Sequence, residues 1–266
     1  MMINFIDTHA HLDGEEFAQD LPEVVKRARE QGAEKIFVPA IDVASSERAL
    51  TLASEYPGVV FPMVGLHPEE VKPDYREVIA RLKAMYCDDF IAIGEVGLDF
   101  YWSREFEQAQ LDAFRIQVEW AVEMKKPLMI HCRKAQNEMV KLLREYEKDL
   151  VGGVFHCFTG NEQEAEQLLS FPRFVLGIGG VLTFKKSPLP TVLPQAVPLH
   201  RIVLETDAPY MAPVPKRGTR NESSFIPYII SVLAQSYGVT EEEVAQVTTQ
   251  TANRLFLSSD SKIYAE

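Results

Sequence analysis

Short apolar runs bounded by glycine or proline recur along the chain at intervals of about twenty to forty residues, with polar-rich stretches between them. The runs predict strands over 4–9, 35–40, 59–66, 90–95, 127–131, 153–156, 173–178 and 201–205. The stretches between carry apolar residues at helical spacing and predict helices over 16–31, 45–55, 74–85, 104–124, 135–146 and 161–170, with two more over 224–237 and 240–256. Pro22 falls near the start of the first helix, where a missing N–H is harmless. Thr240, with Glu243 three residues on, reads as a capping box. The segment 186–197 holds three prolines, which oppose a helix there. Eight strands alternating one-to-one with helices argue for a parallel sheet. Over 266 residues that alternation favours a closed TIM (β/α)8 barrel, a single α/β domain spanning 1–266, over an open doubly wound sheet. No GxGxxG follows the first strand, which weakens the dinucleotide-binding alternative.

The polar residues sort by position. His9 and His11 close the first strand, His67 follows the third, Glu95 ends the fourth, His131 the fifth and His156 the sixth, while Glu205 and Asp207 close the eighth. In a barrel those places face one mouth, where such folds build their sites. Of six histidines in the chain, only His200 lies elsewhere, so chance burial of single histidines does not account for the pattern. His9 and His11 are two apart, so an extended backbone points both imidazoles to one side, ready for one divalent ion. Four imidazoles and two carboxylates exceed the shell of a single zinc, and two ions follow. Glu95, on the strand between the two histidine pairs, is placed to bridge them. Mixed nitrogen and oxygen ligation suits Zn, Mn or Fe, tolerates Mg and does not suit Ca. Cys132 and Cys157 each come one residue after a candidate ligand, and alternation turns them outward toward the helices.

Charge limits the partners. Lys+Arg of 27 against Asp+Glu of 39 gives −12, which opposes a broad sequence-independent grip on nucleic acid or on an anionic membrane. A small anionic substrate remains open, because divalent cations reverse the local field. Positive residues gather in mouth segments: Arg133 and Lys134, Lys185 and Lys186, then Lys216, Arg217 and Arg220. That is enough for a strand end and too few for a long phosphate track. No signal peptide is visible, no apolar stretch reaches 18 residues, and the three cysteines are odd in number and far apart, all of which points to a reducing cytoplasm. No stable protein partner can be inferred.

Six motifs in order carry a resemblance: His9-Ala10-His11-Leu12-Asp13, Gly65-Leu66-His67-Pro68, Gly94-Glu95-Val96-Gly97-Leu98-Asp99-Phe100, His131-Cys132-Arg133, His156-Cys157-Phe158-Thr159-Gly160 and Glu205-Thr206-Asp207-Ala208-Pro209-Tyr210. Over residues 5 to about 256 the chain resembles the TatD-family metal-dependent DNases. The resemblance implies a TIM barrel with two divalent ions (Mg, Mn or Zn), one held by His9, His11, Glu95 and Asp207, the other by Glu95, His131 and His156. It implies phosphodiester hydrolysis, mainly exonuclease action on DNA strand ends, with His67 beside the substrate phosphate and Glu205 supporting a ligand. Val96, Lys134, Lys216 and Ser223 depart from the family pattern, where Thr, an acidic residue, His and Pro are usual. All four are expected in or beside mouth loops, which leaves substrate preference open.

On this reading Asp207 is both ligand and general base, Glu95 is the catalytic bridge of a two-metal-activated water, and Arg133 grips a phosphate oxygen or forms a rim salt bridge. The alternatives are a hydrolase of another small ester or amide on the same barrel, a PHP-type phosphoesterase, and a metal-binding barrel without turnover. The first often bridges its metals with a carboxylated Lys where this chain has Glu95. The second would need His and Asp ligands this chain lacks.

Overall fold

The structure, a computed structural model, describes residues 3–258. Within them the strands are β1 (Phe5–Asp7), β2 (Ala33–Val38), β3 (Val60–Pro62), β4 (Ile93–Asp99), β5 (Leu128–Arg133), β6 (Gly153–Phe155), β7 (Phe174–Ile178) and β8 (Ile202–Leu204). Neighbours pair in parallel, β1 to β3 in one run and β4 to β8 in another. Bridges from Val64 to Ile93 and from Ala10 to Ala208 join the two runs at both seams. The Thr8 amide donating to the Leu204 carbonyl at 2.9 Å laces the second seam further. This is the expected TIM barrel.

The helices are α1 (Leu21–Glu30), α2 (Val43–Glu55), α3 (Tyr75–Met85), α4 (Glu107–Met124), α5 (Gln136–Arg144), α6 (Glu162–Leu169), α7 (Leu189–Ala196), α8 (Ile226–Tyr237) and α9 (Glu241–Phe256). The predicted helix over 16–31 splits into a 3-10 turn, Glu15–Phe17, and α1, with Pro22 in its first turn. The proline-rich segment is helical after all. Pro190 lies in the first turn of α7, where its N–H is not needed, and only Pro194 forfeits a bond inside a helix of 8 residues. Thr240 accepts the Glu243 amide at 3.1 Å, but among the described residues this is only the forward half of a capping box. Complete boxes close at Asp42 with Ser45 and at Asn161 with Glu164.

The largest departure from the expected strands is β4, which continues four residues past Glu95. There Val96, Gly97, Leu98 and Asp99 pair with Ile130, His131, Cys132 and Arg133 of β5. Gly97 permits this close approach: its φ is 145°, and a Cβ would lie 1.9 Å from the His131 carbonyl oxygen. Glu95 and His131 therefore stand inside a paired ribbon rather than at its frayed end.

At the opposite end, Ile6, Phe37, Met63, Met129, Val154, Val175 and Val203 form one buried cluster with Ala252, Leu255 and Phe256 of α9. The Phe37 and Phe256 rings meet edge to face at 5.1 Å. Burying each such side chain contributes about 1.5–3 kcal/mol. The closing helix thus plugs the barrel floor and leaves the other end open for chemistry.

Candidate functional site

β1 stops at Asp7, so His9 and His11 lie on the segment just beyond the strand. Backbone bonds keep that segment in place: Ala10 donates to Phe37 at 3.0 Å and His11 to Ala208 at 2.8 Å. The two Nε2 atoms come within 3.1 Å of each other. Glu95 Oε2 lies 3.1 Å from the first and 3.4 Å from the second, and Asp207 Oδ1 lies 3.7 Å from each. A tetrahedral shell with bonds of about 2.0–2.1 Å sets its donors roughly 3.3 Å apart, close to these spacings. The other carboxylate oxygen of Glu95 faces a second set. Oε1 lies 2.9 Å from His131 Nδ1 and 2.7 Å from His156 Nε2, and those nitrogens are 3.3 Å apart. The six residues expected to bind metal are thus brought together around one buried carboxylate.

Three residues not singled out in the sequence orient this cluster. Asp99 Oδ2 lies 2.9 Å from His131 Nε2, the carboxylate–imidazole pairing that fixes a ligand ring. Asp7 is wholly buried and accepts from the His9 amide at 3.2 Å, the Thr206 amide at 3.0 Å and the Thr206 hydroxyl at 2.7 Å, tying the two seam strands together beneath the site. Asn221 donates to the carbonyls of Thr206 and Tyr210 at 2.8 and 2.7 Å, clamping the turn on which Asp207 adopts a left-handed φ of 56°. Glu205 accepts from the Cys157 amide, and its Oε1 lies 3.8 Å from His156 Nδ1. Gly177 makes room for it, since a Cβ there would sit 2.0 Å from Glu205 Oε2.

The protonation states are unequal. Burial, with the neighbouring His156, pushes His9 down to about 4. Burial also opposes charge on His11, yet Glu95 and Asp207 overcome it and push that ring up to about 9. His131 likewise rises to about 9, with Asp99 and Glu95 outweighing burial. Burial would raise Glu95, but the imidazoles around it hold it well below the usual range. Burial pushes Glu205 up to about 8 and Asp7 up to about 6. His9 Nδ1, His156 Nδ1 and Glu205 Oε2 are buried with no hydrogen-bond partner. Two imidazole nitrogens 3.1 Å apart cannot both offer lone pairs to each other, and a cation between them relieves the conflict. Nitrogen and carboxylate donors at this spacing fit divalent ions.

The sequence profile of the TatD related DNase family matches residues 6–257. The chain belongs to this family. It is 37% identical over 251 residues to the uncharacterized metal-dependent hydrolase YabD of Bacillus subtilis, covering 94% of this chain and 98% of the relative. It is 32% identical over 255 residues to the 3'-5' ssDNA/RNA exonuclease TatD of Erwinia tasmaniensis, with 94% and 98% covered. Among solved structures, YJJV, a TatD homolog from Escherichia coli, superposes with a TM-score of 0.88 at 28% identity, covering 97% of this chain and all of that one.

Beside this TatD-family cluster, His67 Nε2 reaches Glu95 Oε1 at 3.4 Å, near enough to count as a metal donor by distance. Its Nδ1 argues otherwise. That atom accepts the Glu69 amide at 3.1 Å, so the neutral ring carries its proton on Nε2 and presents an N–H to the mouth. Arg133 is exposed and stacks on Tyr101, with Cζ 3.6 Å from the ring centroid, in place of a rim salt bridge. Arg220 is not a free mouth cation: it pairs with Asp20 at 2.7 Å and lies over Phe17. Arg217 and Lys216 lie over Phe184 and Phe225.

Two of the four TatD-family departures, Val96 beside Glu95 and Ser223 in the segment after β8, are fully buried, so neither side chain is open to the mouth. Cys132 packs against the core, and burial pushes its thiol up to about 12. Cys157 lies two residues past β6 with φ of 50°, so strand alternation does not govern its direction as expected. Among the described residues, neither cysteine joins a candidate donor group.

Proposed function

We propose that the chain is a divalent-metal-dependent nuclease, a single barrel domain over 1–266 that hydrolyses phosphodiester bonds at the ends of DNA strands with two ions bridged by Glu95. The observation that carries this reading is the division of labour on Glu95, whose two oxygens each face a different imidazole set. His9, His11, Glu95 and Asp207 would hold one ion, and Glu95, His131 and His156 the other. When bound, such ions lower the pKa of water and neutralise charge building on the phosphate. The chain's own groups do the rest. Asp207, on a turn fixed by Asn221, accepts the proton of the attacking water. His67 donates its Nε2–H to a phosphate oxygen, and Arg133 offers its planar fork to the neighbouring one. Glu205, beneath His156, supports that ring from behind.

Similarity to the 3'-5' ssDNA/RNA exonuclease TatD of Erwinia tasmaniensis supports single-stranded DNA or RNA as substrate. A cytoplasmic location suits three free thiols, and no helix among the described residues is long and apolar enough to cross a membrane. An end-labelled single-stranded oligonucleotide tests the reading. The purified protein with Mg or Mn should shorten it stepwise, stop with chelator and resume when metal is restored. Absence of cleavage of both the oligonucleotide and a chromogenic phosphodiester with Mg, Mn and Zn would overturn it.

A further inference from the structure

Among the described residues, the large apolar side chains left exposed are Tyr101, Trp102, Tyr210, Met211 and Val214, all in the loops that follow β4 and β8. Trp102 is the most open, at 69%, whereas the chain's other tryptophan, Trp120, is 2% exposed. Soluble proteins seldom leave such rings in water without a use for them. Tyr101 and Trp102 meet edge to face with centroids 4.9 Å apart, and Arg133 Cζ sits 3.6 Å from the first ring and 5.2 Å from the second. The Arg133 guanidinium has no hydrogen bond or ion pair among the described residues, so it is held by aromatic faces with its donors unspent.

This group is attached directly to the candidate metal centre. Asp99 pairs in register with Arg133, its Oδ1 accepts the Tyr101 amide at 2.8 Å, and its Oδ2 meets His131 at 2.9 Å. A cleft of about 710 Å³ runs from Tyr101 and Arg133, past Gln136 and Asn137, to His156. Tyr101 and Arg133 thus share one open cleft with His156, a neighbour of Glu95, and Trp102 packs against Tyr101.

We infer that Tyr101, Trp102 and Arg133 form a subsite for the nucleotide adjoining the scissile phosphate, with Arg133 on that phosphate and the open face of Trp102 taking the nucleotide's unpaired base. The inference rests on the nuclease reading above. Aromatic faces stack on any base and a guanidinium pairs with any phosphate, so the subsite is selective for unpaired strands and tolerant of sequence. Bases locked in a duplex do not offer the free face that it needs. It also explains how a chain of net charge −12 can hold a polyanion: the grip is one cation and one stack beside the ions rather than a long basic track. Tyr101 acts as a positioning residue, keeping Arg133 at the lip.

The two tryptophans make the test direct. Metal-loaded protein titrated with a phosphorothioate-linked single-stranded octanucleotide should lose the emission of Trp102 while that of buried Trp120 persists. Anisotropy of a labelled oligonucleotide follows binding independently. Trp102→Ala should raise KM for a cleavable oligonucleotide roughly 5- to 150-fold, the range for one lost base stack, with kcat within about threefold and with rescue by Trp102→Phe. Scanning a single abasic position along the substrate should find one place where wild type and Trp102→Ala come within about twofold of each other. Binding seen by anisotropy without loss of Trp102 emission, or equal KM for both proteins on the intact strand, would overturn the subsite and leave the nuclease reading standing. No binding and no cleavage by either protein would overturn both.

Discussion

The floor and the mouth of this barrel are built from the same strands by the same alternation, two residues apart. Met129, Val154 and Val203 join the floor cluster, and the residues two places on are His131, His156 and Glu205. Side chains at i and i+2 share a face, so each strand supplies an apolar group below and a reactive one above. The lower end is closed by α9, and the upper holds carboxylates and imidazoles that have no apolar reason to converge. Stability and chemistry are thus written on one face and separated by about 7 Å of strand. Mutations should divide in the same way.

The largest effect belongs to the mouth. Glu95→Gln removes the negative charge from both donor sets and should cut phosphodiester turnover at least roughly 10³-fold. A variant that keeps a tenth of the activity would break the contrast from this side. At the floor, Phe256→Ala opens a cavity beneath Phe37 and should cost about 3–5 kcal/mol in denaturant unfolding. The folded fraction should still bind its full complement of metal. A change in its metal content would mean that the two ends are coupled.

A smaller effect sharpens the comparison within the mouth. Asp99→Asn keeps the shape behind His131 but not the charge, and metal affinity at the His131 and His156 side should fall about 10- to 100-fold by competition with a chelating dye. Affinity at the His9 and His11 side should stay within about twofold. The smallest effect lies outside both ends, where Arg27 of α1 donates to Glu222 at 2.9 and 2.6 Å and ties the loop after β8 to the barrel wall. Burial would raise Glu222, but Arg27 and Ser224 hold it below its ordinary value of 4.5. The unfolded chain therefore binds the proton more readily, so the stabilisation is present above pH 4.5 and is lost as pH falls through the lower folded value. Wild-type stability should decline in that acid window by at most about 1.4 kcal/mol per pH unit from this group. Glu222→Gln should flatten the decline, as read by urea unfolding between pH 3 and 5.

The parts legible in the sequence are those governed by local pattern. Eight apolar runs, six of them closed by reactive residues, suffice to place the barrel, its mouth and the six candidate ligands. The parts missed depend on partners distant in the chain. β4 looked finished at Glu95 because Gly97 breaks the apolar run, yet that glycine is what lets β4 follow β5 as far as Asp99. Asp99 lies on the face of Glu95 four residues on, and a longer strand would have revealed it. Asp7 and Asn221 work through buried bonds to Thr206 and Tyr210, and nothing in spacing announces such bonds. Arg220 looked like a mouth cation because its partner, Asp20, is 200 residues away in the chain.

Metal content measured on each side of the bridge tests the central claim most directly. Protein dialysed against Mn or Zn and assayed by elemental analysis should carry two ions per chain. His131→Ala should carry one, His11→Ala one, and Glu95→Ala fewer than one. A single ion in the wild type, unchanged by His131→Ala, would contradict the two-sided reading of Glu95.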